Sequence, residues 1–290
     1  HSYYANFDTR NINWDTVYDN YNSIITDQTS EDELYNHLTN ILSQLNDGHV
    51  TLTAPGRTRF ESNVYYRNRI DFDLFDLNLI KSYLDAGFQD TQYEVLGTID
   101  SDITYLHLSD IGPESMAILD EAISSSAHAI GMIIDLRHNA GGNFIHAFKK
   151  LSQFNDSRRH IFSSRTKNGP EVDDYDPWFD WYLDANQSFH KPLVILADRY
   201  TISAAERALM IFKALPEATI VGDTSNGAIS NMIGRELSNR WFVSLATQQT
   251  TDPYGNIFEG IGIPPDLFVK NTLDDIENQL DRPLLSAIKL

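Results

Sequence analysis

A buried strand that turns sharply into a helix is the feature that most constrains this chain. Residues 192–197 (PLVILA) form a continuous apolar run, with the length and composition of a strand buried on both faces. A polar turn follows at 198–201, and residues 203–215 carry apolar side chains at helical spacing. A second apolar strand at 218–221 closes on Gly222. This order of elements favours an α/β core with buried strands.

Ser203 lies where the first of these strands becomes the helix. The first backbone N–H groups of a helix have no acceptor within the helix, and they carry partial positive charge. A serine hydroxyl beside such groups can act as a nucleophile next to an oxyanion site. Serine is also a favoured N-terminal capping residue. This element alone leaves both interpretations open and favours the cap.

Composition excludes several classes of protein. The chain has 290 residues and is 41% apolar, which is enough for a large core. Its formal net charge of −19 repels phosphate backbones and anionic membrane surfaces, so no nucleic-acid partner is expected. No apolar run approaches the ~18 residues of a membrane span. There is no cysteine, which excludes disulfides and thiolate metal sites.

The N-terminal part is predicted to be helical. A first helix begins near Trp14, and a second begins at Thr29 or Ser30, where acidic residues in the first turn complement the helix dipole. This second helix ends at residues 46–48 (NDG), a helix-terminating signal. We therefore predict an N-terminal helical subdomain, residues 1–54.

His49 follows this glycine turn and opens a short predicted strand at 49–52. Catalytic groups often lie at such boundaries between elements. A histidine in this context is nevertheless more often structural than catalytic, so the spacing by itself leaves both roles open.

The middle of the chain alternates strands and helices, with less regular stretches on either side. Strands are expected at 103–108 and 129–136, a hairpin at 234–246, and helices at 114–124, 144–154 and 273–290, the last interrupted by Pro283. Residues 55–100 are expected to form irregular strands, and residues 155–190 a polar and aromatic surface excursion.

A pair of glycines, Gly141 and Gly142, follows the predicted strand 129–136. The pair lacks the lysine and hydroxyl residue of a phosphate-binding loop. It can turn backbone amides toward an oxyanion, or it can be a plain tight turn. The sequence has no Gly-x-Ser-x-Gly elbow, which argues against an α/β-hydrolase. It has no histidine spacing typical of a metal site, so no metal is predicted.

Four motifs occur in a fixed order: residues 47–49 (DGH), 135–142 (DLRHNAGG), 201–206 (TISAAE) and 259–266 (EGIGIPPD). Together they resemble the S41 serine peptidases, which comprise the tail-specific or C-terminal processing proteases and their tricorn-core relatives. The resemblance covers nearly the whole chain. It implies a crotonase- or ClpP-like α/β core, residues 55–290, with the helical subdomain as a cap.

The resemblance implies a role for particular residues. Ser203 is the expected nucleophile, His49 the expected general base, and Glu259 the residue that orients His49. The backbone N–H groups of Gly141 and Ala204 are the expected oxyanion hole.

The chain departs from the C-terminal processing branch at one position. Ala228 stands where those proteases carry a lysine base, so a Ser–Lys dyad is not available and the tricorn-like Ser-His-Glu arrangement is favoured. As substrate contacts we predict Arg165, Ser225 and Gly142. Arg137 is a second candidate for reading a substrate carboxylate, but a structural role is favoured for it.

The sequence thus predicts a serine endopeptidase that acts on peptide or protein substrates without a cofactor. One alternative is a catalytically silent module on the same fold that binds peptides or apolar ligands. Another is hydrolysis of a non-peptide ester or amide by the same triad. The chain begins at His1 without a leader, so we expect that any targeting segment has been removed. The resemblance implies an exported bacterial protein, periplasmic, extracellular or held at the cell surface.

Overall fold

The computed structural model describes residues 2–91 and 93–290. The helices are α1 (Trp14–Asn22), α2 (Glu31–Ser43), α3 (Val64–Asn68), α4 (Leu77–Lys81), α5 (Pro113–Ser125), α6 (Phe144–Leu151), α7 (Ala204–Lys213), α8 (Leu273–Glu277) and α9 (Arg282–Ala287). The strands are β1 (Thr51–Thr53), β2 (Phe60–Glu61), β3 (Gln89–Asp90), β4 (Val95–Ile99), β5 (Ile103–His107), β6 (Gly131–Asp135), β7 (Arg159–Thr166), β8 (Phe179–Leu183), β9 (Leu193–Ala197), β10 (Ala218–Gly222), β11 (Met232–Glu236), β12 (Phe242–Ala246), β13 (Gln248–Thr251) and β14 (Leu267–Phe268).

The chain forms two compact units, each built from separate stretches of sequence. The first unit takes the described residues up to Ile70, together with Ser163–Phe179 and Ser230–Gly260. The second unit takes the remaining described residues. The sequence predicted a subdomain of residues 1–54 alone. The first unit continues beyond that segment to residue 70 and also takes in two later stretches, all of which the prediction assigned to the core.

The second unit is built on a mixed parallel and antiparallel β-sheet. Its strands lie in the order β14, β10, β9, β6, β5, β4, β3. Pairing is parallel from β14 to β5 and antiparallel from β5 to β3. Helices α5, α6 and α7 follow β5, β6 and β9 in sequence, as the predicted alternation requires. Its core side chains are Ile80, Ile99, Ile103, Tyr105, Ile133, Val194, Leu196, Val221, Leu284 and Ala287.

The order of strands determines which turns meet at one edge of this sheet. Strands β6 and β9 are parallel neighbours, with Asp135 opposite Leu196. Because parallel strands end at the same edge, the turn after β6 and the turn after β9 lie side by side. The first of these turns contains Gly141 and the second contains Ser203.

The first unit packs α1 and α2 with an antiparallel sheet of β11, β12, β1 and β2. Strands β11 and β12 form the predicted hairpin. Helix α2 begins at the predicted cap, where the Ser30 hydroxyl accepts the Glu33 N–H and the Glu33 carboxylate accepts the Ser30 N–H. The core side chains are Tyr4, Leu42, Leu45, Val50, Leu52, Ala54, Trp241, Val243 and Ala246.

Two irregular stretches were predicted incorrectly in part. Residues 155–190 contain strands β7 and β8, and residues 55–100 contain helices α3 and α4 besides short strands. Strand β7 buries Ile161, Phe162 and Ser164 without the alternation that identifies a strand in sequence. The predicted tail helix at 273–290 is divided into two short helices, α8 and α9, and Pro283 lies in the first turn of α9, where proline is tolerated. Within the described part of the chain, no helix is both long enough and apolar enough to cross a membrane.

Candidate active site

Ser203 adopts a strained backbone conformation at the start of α7. Its φ is 63° and its ψ is −121°, a region that residues other than glycine rarely occupy. An ordinary N-cap residue has an extended conformation with negative φ, as Ser30 does at −66° and 160°. Ser203 itself is partly exposed, between buried neighbours on either side. This geometry disfavours the plain-cap interpretation, since backbone strain of this kind clusters at functional sites.

Glu206 holds this turn in place from within the protein. It is fully buried, and its Oε2 accepts the N–H groups of Ser203 at 3.2 Å and Ala228 at 2.8 Å. Its Oε1 accepts the Ser225 hydroxyl at 2.6 Å and the Gly227 N–H at 2.7 Å. Burial raises the pKa of Glu206, while these four donors oppose the rise. Glu206 therefore joins the turn at Ser203 to the loop 225–228, a role that its place in the sequence does not predict.

We expect Glu206→Gln to destabilise the protein by about 2–3 kcal/mol and to slow any reaction at Ser203. The reason is that one carboxylate oxygen, which accepts two hydrogen bonds, becomes an amide NH₂ that faces two donors. Urea unfolding monitored by circular dichroism measures the change. Glu217→Gln, at an exposed position in the same unit, is the matched control and should be neutral. Equal unfolding midpoints for both variants would contradict this role for Glu206.

The glycine turn after β6 packs directly against Ser203. A Cβ atom on Gly141 would lie 2.6 Å from the Ser203 Cβ and 2.8 Å from the Ile202 carbonyl oxygen. Gly141 has a φ of +81°, so a side chain would also be strained there. On Gly142 a Cβ would lie 2.4 Å from the Ile111 carbonyl oxygen. Both positions therefore require glycine, and Gly141 in particular allows the close approach of its backbone to Ser203.

The backbone amides near Ser203 differ in their hydrogen bonds. The Gly141 N–H donates to Asn139 Oδ1 at 2.9 Å. Ala204 is the first residue of α7, so its N–H has no acceptor within the helix. Asn139 is fully buried, and its backbone carbonyl accepts the Ile202 N–H at 3.1 Å. The side chain of Asn139 therefore fixes the glycine turn while its backbone joins that turn to the one carrying Ser203.

Asp198 also links the two turns. Its Oδ1 accepts the N–H groups of His138 at 3.1 Å and Tyr200 at 2.9 Å. Burial raises the pKa of Asp198 to about 6, against the opposing effect of these hydrogen bonds. The His138 imidazole lies 3.4 Å from Asp198 Oδ2. The charge at this edge of the sheet therefore changes in mildly acidic solution.

His49 belongs to the first unit, where hydrogen bonds fix both its backbone N–H and its backbone carbonyl. The His49 N–H donates to Asp47 Oδ1 at 2.8 Å, and the His49 carbonyl accepts the Ser244 hydroxyl at 2.8 Å. The residue is buried, with 5% of its surface exposed. Strand β1 begins two residues later, in agreement with the predicted turn-to-strand boundary.

Glu259 lies in the same unit as His49 and is 1% exposed. Its Oε1 accepts a hydrogen bond from Arg10 Nη2 at 3.1 Å, and its Oε2 accepts the Ser230 N–H at 3.0 Å. The carboxylate is thus buried beside a guanidinium.

The predicted substrate contacts have different surroundings. Ser225 is fully buried, and its hydroxyl donates to Glu206 and accepts the Ile263 N–H at 2.7 Å, a position unsuited to direct contact with substrate. Arg165 is partly exposed; its guanidinium donates to Gln249 Oε1 and stacks on the rings of Tyr175 and Trp178.

The contacts of Arg137 and Ala228 indicate structural roles for both residues. The Arg137 guanidinium is buried in ion pairs with Asp135 at 2.6 Å and Asp281 at 2.8 Å, in agreement with the structural role favoured from sequence. The buried Ala228 donates its N–H to Glu206. Over residues 2–91 and 93–290, no group of three or more His, Asp or Glu side chains is arranged to hold a metal ion.

The fold and this turn define a class of protein. A strained serine at the carboxyl end of a parallel strand, followed by a helix and flanked by a glycine turn, is typical of serine-dependent hydrolases. The family model "Peptidase family S41" matches residues 102–269, more than half of the chain. The chain therefore belongs to peptidase family S41, a family of serine-type peptidases. The matched region includes Ser203, Gly141 and Glu259, whereas His49 lies before it.

Individual relatives agree with this family. The carboxy-terminal-processing protease of Bartonella bacilliformis is 27% identical over 183 residues, which are 61% of this chain and 41% of that protein. Tricorn protease homolog 2 of Streptomyces coelicolor is 26% identical over 197 residues, 64% of this chain and 15% of that protein. The chain thus spans less than half the length of either relative.

A solved structure of a peptidase-like protein from Parabacteroides merdae has the same fold. It superposes with a TM-score of 0.87 at 24% identity, over 99% of this chain and 91% of that one. The predictions of S41 membership and of an α/β fold are confirmed.

Proposed function

We propose that this protein is a serine endopeptidase that cleaves peptide bonds through an acyl-enzyme, with Ser203 as nucleophile and His49 as general base. The observation that carries the proposal is the strained conformation of Ser203 against Gly141, within the region matched by the S41 family. The absence of a lysine at Ala228 favours histidine over lysine as the base.

In the proposed reaction, the Ser203 oxygen attacks the scissile carbonyl carbon while His49 accepts the hydroxyl proton. The tetrahedral intermediate collapses, the C–N bond breaks, and His49 returns the proton to the leaving amine. Water then attacks the acyl ester in the same manner and releases the second product. Glu259 orients the imidazole and stabilises its protonated form.

The developing oxyanion is proposed to bind the N–H groups of Ala204 and Gly141. The N–H of Ala204 at the first position of α7 supports this role, since helix N-termini attract negative charge. The Gly141 N–H is engaged by Asn139, so it would have to be shared between the Asn139 amide oxygen and the oxyanion. Each donor in such a site contributes about 10²–10³-fold to the rate.

Peptides or proteins are the proposed substrates, as the family implies. Arg165 and Gly142 remain proposed substrate contacts. Arg165 is the stronger of the two, because its partly exposed guanidinium is held by Gln249 and two aromatic rings. Export to the periplasm or cell surface is likewise proposed from the resemblance to this family.

Labelling with a fluorophosphonate probe tests the proposed nucleophile. We expect the probe to attach to Ser203, identified by mass spectrometry of the digested adduct, because the probe reacts with activated serines. Labelling should be unchanged in Ser124→Ala, which removes an exposed hydroxyl on α5 in the same unit. A folded wild-type protein that takes up no probe would instead support the silent binding module.

A further inference from the structure

A buried ion cluster in the first unit joins the turn before His49 to Glu259. The Arg10 guanidinium is only 7% exposed, and its Nη2 lies 3.1 Å from Glu259 Oε1 and 3.3 Å from Asp47 Oδ2. Its Nη1 donates to the Asn46 carbonyl at 2.7 Å. One cation thus contacts both carboxylates, which are 212 residues apart in sequence (259 − 47).

The cluster is closely packed around the guanidinium. The Tyr4 hydroxyl donates to Asp47 Oδ2 at 2.9 Å, so both oxygens of Asp47 are used, one by this hydroxyl and the other by the His49 N–H. Gly260 follows Glu259 with a φ of +77°, a conformation that favours glycine, and a Cβ there would be in ordinary van der Waals contact with Arg10 Nη1 at 3.4 Å.

The charges in the cluster do not cancel. Arg10 carries one positive charge, whereas Asp47 and Glu259 carry two negative charges. Burial lowers the pKa of Arg10, but the two carboxylates raise it to a value well above the usual range, so the guanidinium stays charged. Burial, together with Asp47, raises the pKa of Tyr4, which keeps its hydroxyl a donor. The net charge of these three side chains is therefore negative, and the backbone N–H of His49 donates directly to one of the two carboxylates.

We propose, on the basis of the proposed function, that Arg10 is a positioning residue that fixes Asp47 and Glu259 relative to each other. In this way it sets the pH at which the His49 base becomes active. The Asp47 contact fixes the turn that carries His49. The Glu259 contact fixes the group proposed to orient the imidazole. A guanidinium suits this position because its planar group of donors can contact two carboxylates at once. A lysine ammonium does this less well.

Removal of the positive charge of Arg10 shifts the pH dependence of the proposed reaction in one direction. Without it, the negative charges of Asp47 and Glu259 are no longer compensated by a cation. They then favour protonated His49 more strongly, so the neutral base is populated only at higher pH. The acidic limb of the pH–rate profile therefore moves upward.

The rate of fluorophosphonate inactivation, measured between about pH 5 and 9, tests this role without knowledge of the natural substrate. In Arg10→Met we expect the acidic limb to rise by about one pH unit, with a rate at least about tenfold lower at neutral pH and recovery in alkaline solution. Arg10→Lys should keep the limb near that of the wild type. Arg57→Met, which removes an ion pair with the exposed Asp32 in the same unit, is the matched control.

An Arg10→Met limb that coincides with the wild type, or a loss of rate that is equal at every pH, would overturn the role of Arg10. If Arg10→Met does not fold, Arg10→Gln keeps a donor for the Asn46 carbonyl without the charge and makes the same test. A wild-type protein that is not labelled at any pH overturns the proposed function as well. A labelled wild type with an unshifted Arg10→Met limb overturns the positioning role alone.

Discussion

Ser203→Gly is expected to abolish turnover and, at the same time, to make the protein more stable than Ser203→Ala by about 1 kcal/mol. Loss of the nucleophile costs at least about 10⁴-fold in kcat/KM, whichever residue replaces it. The difference in stability arises because a φ of 63° with a ψ of −121° is readily adopted by glycine but is strained for any residue with a Cβ atom.

Activity on a peptide substrate and urea unfolding of both variants give the two quantities. The Ser203→Ala variant is the matched control, because it removes the hydroxyl and keeps the Cβ. The backbone N–H that donates to Glu206 is retained in both. If the alanine variant were as stable as the glycine variant, the backbone of Ser203 would not be strained. Turnover that survived either substitution would exclude Ser203 as the nucleophile.

His49→Ala is expected to lower kcat/KM by about 10²–10⁴-fold while leaving the fold intact. The fold should survive because the contacts that fix this residue to Asp47 and Ser244 are made by its backbone, which alanine keeps. The residual rate should also lose the dependence on pH that a histidine base imposes between about pH 5 and 8.

Steady-state rates across this pH range, with His37→Ala as control, decide the outcome. His37 lies on α2 in the same unit and has no proposed role in the reaction. A His49→Ala variant that retained the wild-type pH profile would show that another group acts as the base. The change in His49→Ala would then have to be attributed to packing.

The sequence predicted the α/β core well because its strands are buried on both faces. The apolar run at 192–197 and the helix after it both appear close to the predicted bounds, as β9 and α7. Strands β7 and β8 were missed because their buried residues do not alternate with exposed ones. The short helices α3 and α4 are five residues each, too short for a helical period to be visible.

At the candidate site, the sequence identified Ser203 but could not indicate its backbone strain, since a serine before a helix is usually an ordinary cap. Glu206 was missed because an acid in the first turn of a helix usually faces solvent. Its donors other than Ser203 come from residues 225–228, about twenty positions further along the chain. A signal was nevertheless present, since Glu206 and Arg207 are a charged pair within a run, 204–212, that is otherwise apolar.

The ion cluster around Arg10 was also beyond prediction. Arg10 lies before the first helix in a stretch without periodicity, and its partners Asp47 and Glu259 follow in two separate motifs. Long-range ion pairs leave no local pattern in a single sequence. Only the three-dimensional fold brings these side chains together.

The division of the chain into interleaved stretches limits how the protein can be dissected. The backbone passes from one unit to the other five times, at 70/71, 162/163, 179/180, 229/230 and 260/261. A single proteolytic cut therefore cannot release either unit as one continuous fragment. Expression of the first unit on its own would require three pieces to be spliced through new linkers. Gene truncation, the usual route to a minimal domain, cannot isolate either unit, because each is built from three separated stretches of sequence.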